Sequence, residues 1–118
     1  YECPVAPETG VWLLSPGRVV EAFIHAWELP AEAWGTQRWL NLCGITATVA
    51  EMVEAMRRVA GDAAANRVVY KGDPRIQAIV KTWPVNFRTP RALAMGFKPD
   101  GNVEEVIRQY IADEGIRT

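Results

Sequence analysis

The stretch from Gln37 to Gly61, QRWLNLCGITATVAEMVEAMRRVAG, constrains the fold more than any other part of the chain. Thr48 stands three residues before Glu51. At this capping-box spacing each side chain satisfies a backbone N–H that a helix start leaves open. Val49, Met52, Val53, Met56 and Val59 follow at i, i+3, i+4, i+7 and i+10, one apolar stripe of a 3.6-residue helix. Gly61 is placed to end that helix. Ahead of it, Trp39, Leu40 and Leu42 predict a short strand over Arg38–Leu42, which Gly44 breaks. The unit is therefore strand, turn and capped amphipathic helix. It fixes a piece of a fold and carries no chemistry of its own.

The rest of the chain supplies similar pieces. Tyr1–Val5 and Val11–Leu14 read as short strands. Ser15-Pro16 is an N-cap followed by a proline at the first helical position, where its missing N–H costs nothing. The helix it starts runs to about Leu29. Val19, Val20, Phe23, Ile24 and Trp27 are expected to face inward. Arg18, Glu21, Glu28 and His25, the only histidine, are expected on the solvated side. Pro30–Trp34 adds a helical turn closed by Gly35, and Asp62–Asn66 is a short helical or turn segment rich in alanine. Val68–Lys71 is a strand. Asp73-Pro74 starts a helix with Ile76, Ile79 and Val80 on its apolar side. Trp83–Phe87 is an irregular loop, and Thr89-Pro90 opens a further helix that ends at Gly96. Asn102, with Glu105 three residues on, caps a last helix whose stripe is Val103, Val106, Ile107, Tyr110 and Ile111. The expected core is Val19, Phe23, Ile24, Leu40, Val49, Met52, Val53, Met56, Ile79, Leu93, Val106, Ile107 and Tyr110.

Totals exclude several classes. The 118 residues make one domain that can build a core without staples. A net charge of −1 argues against nucleic acid as a partner, because that surface must replace phosphate counterions. No apolar run nears the roughly 20 residues of a membrane span. Cys3 and Cys43 are isolated, with no C-x-x-C and no histidine nearby. They are expected as reduced thiols of a cytoplasmic protein, with no metal bound.

Several catalytic patterns are absent. A dinucleotide turn needs closely spaced glycines for the backbone to approach a pyrophosphate. None of the nine glycines here is separated from another by one or two residues. There is no G-x-S-x-G and no G-K-[ST]. A Tyr-x-x-x-Lys pair is missing too, since Val5, Pro74 and Glu114 follow the three tyrosines at that spacing.

The segments in order nonetheless resemble the C-terminal substrate domain of the extended short-chain dehydrogenase/reductases, the superfamily of NAD-dependent epimerases and dehydratases. The resemblance rests on RVVEAFIHA (Arg18–Ala26), NLCGITATVAEM (Asn41–Met52) and LAMGFKP (Leu93–Pro99), and spans nearly the whole chain. WLLSPGRVVEAFIHA (Trp12–Ala26) and DPRIQAIVKTWPVNFRTPRALAMGF (Asp73–Phe97) are similar to the branch that acts on sugar acids.

The resemblance implies an α+β fold, with residues 1–118 as a substrate-binding domain and the Rossmann domain outside this chain. It implies an enzyme that oxidises the C2 hydroxyl of D-erythronate-like four-carbon acids with NAD. The catalytic tyrosine, lysine and serine, and all cofactor contacts, would lie in the dinucleotide domain. This chain alone is then expected to bind no cofactor. Arginine's fork suits a carboxylate. Within that resemblance the candidate substrate contacts are Ser15, Arg18, Trp83 and Arg88. The expected partners are the sugar acid and the dinucleotide domain. The apolar face which that domain covers is expected to be free here, and open to a homo-oligomer. A nucleotide-sugar epimerase or dehydratase keeps the same fold and is the alternative, as is a stand-alone binding module.

Overall fold

A computed structural model describes residues 1–117. The elements run β1 (Glu2–Cys3), β2 (Gly10–Leu13), α1 (Pro16–Glu28), α2 (Ala31–Trp34), β3 (Ile45–Thr48), α3 (Val49–Ala60), α4 (Asp62–Ala65), β4 (Val69–Tyr70), α5 (Pro74–Val80), α6 (Pro90–Ala94) and α7 (Val103–Asp113).

Local chemistry sets the helix starts. Ser15 Oγ accepts from the Arg18 N–H at 3.3 Å. Thr48 and Glu51 form the full capping box: Thr48 Oγ1 accepts from Glu51 N–H at 3.2 Å, and Glu51 accepts from Thr48 N–H at 2.7 Å. Asp73 accepts from the Arg75 N–H at 2.8 Å, and Asn102 from the Glu105 N–H at 2.9 Å. At Asn102 the box is incomplete, because the Glu105 carboxylate accepts from Gly101 N–H instead.

The strands make two small sheets. β1 and β4 are parallel, with Glu2 opposite Val69 and Cys3 opposite Tyr70. β2 and β3 are antiparallel, with Gly10 opposite Thr48 and Leu13 opposite Ile45. The architecture is thus mixed helix and strand, as expected. One apolar cluster joins Cys43, Ala92 and Phe97 to Ala22, Ala26, Leu29, Trp34, Leu40, Leu42 and Met95. Helix α3 packs on α7, and Arg58 Nε donates to Glu104 at 2.7 Å across that contact.

Three expectations are corrected. Arg38–Leu42 is not a strand, because no neighbouring strand pairs with it; the strand of this unit is β3, after Gly44. Gly44 serves close approach instead, since a Cβ there would overlap the Leu13 carbonyl oxygen. Helix α1 turns the opposite face inward. Ala22 and Ala26 pack on Phe97, while Phe23 is 73% and Trp27 88% exposed, with Val20 and Ile24 also exposed. Small residues let α1 sit close to Phe97, and that contact decides which side is buried. His25 consequently lies half-buried, edge-on to Phe97 with ring centroids 4.8 Å apart. Ile79, Leu93 and Tyr110 are also exposed rather than core.

The cause is shape. The protein measures 50 × 35 × 17 Å, and a helix with side chains is about 10–12 Å thick. A slab this thin buries few side chains on both sides. Its radius of gyration is 16.6 Å, against about 13–14 Å for a compact chain of this length. Its accessible surface is 8177 Å², against roughly 6,400 Å² for a compact monomer of this mass.

Candidate functional site

Arg18, Glu21, Ala22 and His25 on α1 face the turn Gly96–Phe97–Lys98 across a cavity of about 270 Å³. Positions i, i+3, i+4 and i+7 put the α1 side chains on one face. Two basic side chains and an imidazole therefore meet one carboxylate. Arg18 Nη1 donates to Glu21 at 2.7 Å, and that hydrogen bond, then the charge of Glu21, raises the Arg18 pKa. His25 Nε2 lies 2.7 Å from the Met95 carbonyl oxygen. A carbonyl only accepts, so Nε2 carries a proton and donates it to this contact. Gly96 has φ 89°, and a Cβ there would crowd His25 Nε2 at 3.1 Å. Glycine at this position thus permits both the turn and the histidine contact.

The start of α1 is tied to the turn before α7. Ser15 N–H and Oγ–H donate to the two carboxylate oxygens of Asp100 at 2.7 and 2.6 Å. Ser15 is 1% and Asp100 5% exposed. This occupies the Ser15 hydroxyl, so Ser15 presents no group to a cavity. Cys43 lies buried nearby as a free thiol, and burial pushes its pKa up.

The other two candidates do not line this cavity. Trp83 lines a separate groove of about 510 Å³ with Leu13, Met52, Val53, Val106 and Ile107. That groove is almost wholly apolar and offers no partner for a sugar acid's hydroxyls. Arg88 is exposed on the loop between α5 and α6. His25 and Lys98 were not among the sequence candidates. The i, i+7 spacing of Arg18 and His25 is the signal in the sequence that pairs them.

A pyrophosphate needs free N–H groups at a helix start and no competing negative charge. At α1 the start is taken by Ser15, with Asp100 behind it. At α3 it is taken by Thr48 and Glu51. At α7 it is taken by Asn102, with Glu104 and Glu105 in the first turn. These three ends do not fit a dinucleotide. Among the described residues no cluster of three or more His, Cys, Asp or Glu is placed to hold a metal ion. No helix there is long and apolar enough to cross a membrane.

The chain is 49% identical over 114 residues to D-erythronate dehydrogenase of Cupriavidus necator, covering 97% of this chain and 35% of the relative. It is 39% identical to D-erythronate dehydrogenase of Haemophilus influenzae, covering 92% and 35%. The crystal structure of a nucleoside-diphosphate-sugar epimerase from Agrobacterium tumefaciens superposes with a TM-score of 0.92 at 32% identity, covering 97% of this chain and 33% of that one. The chain thus spans about a third of the length of the relatives it matches. No protein-family model matches it.

Proposed function

We infer, from a chain homologous along its length to the C-terminal part of the extended short-chain dehydrogenase/reductases, that it is the substrate-binding part of an NAD-dependent sugar-acid dehydrogenase. The reaction is oxidation of the C2 hydroxyl of a D-erythronate-like four-carbon acid. The 49% identity to a D-erythronate dehydrogenase carries the reading. The capped helix ends support a division of labour in which another domain holds NAD and supplies the proton-accepting base. When bound there, NAD takes the hydride.

This chain's part is to hold the acid. The cavity between α1 and Lys98 supports Arg18 as the carboxylate anchor, because a guanidinium can hold a carboxylate through two parallel hydrogen bonds. Its present partner Glu21 is a mostly exposed side chain, and such a pair is worth only about 0–1 kcal/mol. A substrate carboxylate can displace it. Trp83, which can meet only the apolar face of the acid, and Arg88 are the further proposed contacts, carried by the loop between α5 and α6. The alternative, a nucleotide-sugar epimerase, draws on the Agrobacterium tumefaciens structure.

A chimera tests the reading. The matching third of the Cupriavidus necator enzyme is replaced by this chain, and NAD reduction is followed with D-erythronate and, separately, turnover of nucleotide sugars. Activity on the sugar acid alone is expected. An NAD-binding chimera that turns over only nucleotide sugars would overturn the substrate assignment. Calorimetry on the 118-residue chain should show no binding of NAD; micromolar affinity would sink the division of labour.

A further inference from the structure

We propose that the cavity between α1 and the Gly96–Lys98 turn selects its acid by charge: Lys98 joins Arg18 in attracting one carboxylate, and Glu21 turns away a ligand that carries a second. This rests on the functional reading above and narrows its substrate class to singly charged sugar acids.

The charges around the cavity do not cancel. Arg18 and Glu21 form an ion pair at 2.7 Å and offset each other. Lys98 has no ion-pair partner among the described residues. The carboxylates that follow it in the chain are engaged elsewhere. Asp100 is closed off by the N–H and hydroxyl of Ser15. Glu104 is paired with Arg58, and Glu105 accepts from the Gly101 N–H at 2.8 Å. Asp100 and Glu105 also stand at the starts of α1 and α7, where the positive end of a helix offsets a negative charge. His25 is committed through Nε2 to the Met95 carbonyl, a contact that holds the turn carrying Lys98. Counting the imidazole as neutral, the cavity keeps one positive charge without a partner.

One carboxylate balances that charge. The guanidinium of Arg18 supplies a planar fork, and Lys98, an exposed ammonium on a flexible stem, supplies a charge that can follow the ligand. A second carboxylate finds nothing equivalent. It meets Glu21, a like charge, or the apolar wall of Ala22 and Phe97, which cannot replace its water. At about 270 Å³ the cavity lies below the roughly 300–1,000 Å³ of sites for drug-sized ligands. Both ends of a four-carbon acid therefore stay near Glu21.

Calorimetry at pH 8 on the NAD-loaded chimera tests this with two acids of one skeleton. D-erythronate ends in a hydroxymethyl group, where meso-tartrate has a second carboxylate. D-erythronate should bind at least about tenfold more tightly, since like charges set together are strongly disfavoured. Lys98→Gln should weaken D-erythronate about fivefold, the worth of one charge at close range in watery surroundings, and Lys98→Arg should restore it. Glu21→Gln should tighten meso-tartrate more than D-erythronate and narrow the preference about fivefold. Both side chains are exposed, so the variants should melt with the parent. Equal affinity for the two acids, a D-erythronate affinity unmoved by Lys98→Gln, or a preference unmoved by Glu21→Gln would overturn the inference. If D-erythronate is still oxidised in that case, the functional reading stands. Charge selection without oxidation of D-erythronate would support the inference and sink the substrate assignment. A chimera that binds neither acid counts against both.

Discussion

Asp100 and Ser15, 85 positions apart, form a buried clamp in which both carboxylate oxygens accept from one residue's N–H and hydroxyl. The clamp ties the turn before α7 to the start of α1. It thereby fixes the distance between Lys98 and the Arg18 face of the candidate cavity. A negative charge at the head of α1 also suits the positive end of the helix dipole.

Removing the carboxylate strands two buried donors. Asp100→Ala should cost about 2–6 kcal/mol, since each of the two unsatisfied buried donors costs about 1–3 kcal/mol. Ser15→Ala should cost about 1–2 kcal/mol through the lost cap. The double variant should lose clearly less than the sum, because the two share one interaction. Urea midpoints for the four proteins measure this. Strict additivity would mean the clamp is not a coupled unit.

Arg91 makes a comparable long-range contact. Its guanidinium donates to the carbonyls of Trp34, Gln37 and Trp39 at 2.9, 2.9 and 2.8 Å. Only a planar fork reaches three acceptors so arranged, and an ammonium on a flexible stem does not. Arg91→Lys should therefore destabilise nearly as much as Arg91→Ala, by about 1–3 kcal/mol in each case. A lysine variant that melts like the parent would show that charge alone suffices.

The caps and their helices were legible in the sequence because their partners lie within four residues: Thr48 with Glu51, Asp73 with Arg75, Asn102 with Glu105. The face of α1 was not. That helix is apolar on two sides, and the choice between Phe23 and Ala22 is made by Phe97, more than seventy positions away. The strand expected at Arg38–Leu42 has the alternation of a strand but no partner strand among the described residues. For the site, residue type pointed to Arg18. Ser15 was legible as a cap, but its engagement by Asp100 is a tertiary fact that no local spacing reports.

Two carboxylates contribute to the acid limb of stability, the exposed Glu51 and the half-buried Glu104. Glu51 is held below its usual 4.5 by hydrogen bonds from Thr48, the backbone N–H first. Glu104 is held down chiefly by the hydrogen bond from Arg58. Both are more acidic folded than unfolded. Their contributions are fully present above the unfolded value and are lost as pH falls through the lower folded values. Glu51→Gln should flatten the fall in urea midpoint between neutral pH and pH well below 4.5. An unchanged slope would remove Glu51 from the account.

Arg18 offers the most direct test of the candidate cavity, through its partner as much as itself. In the chimera, Arg18→Ala should raise the KM for the sugar acid about tenfold or more, the scale of one charged hydrogen-bonded contact. NAD affinity should stay the same, since no helix end near Arg18 fits a dinucleotide. Glu21→Gln should act in the opposite direction. It removes the carboxylate that now occupies Arg18 Nη1, so the substrate no longer displaces a competitor. The gain is bounded by the worth of an exposed ion pair, about 0–1 kcal/mol, and KM should fall by no more than about fivefold. A purely structural Arg18–Glu21 pair predicts something different: both substitutions lower the melting midpoint and neither moves KM. Opposite shifts in KM at constant NAD affinity separate the two. If both variants bind the acid like the parent, the carboxylate is anchored elsewhere, with Arg88 the next candidate to substitute.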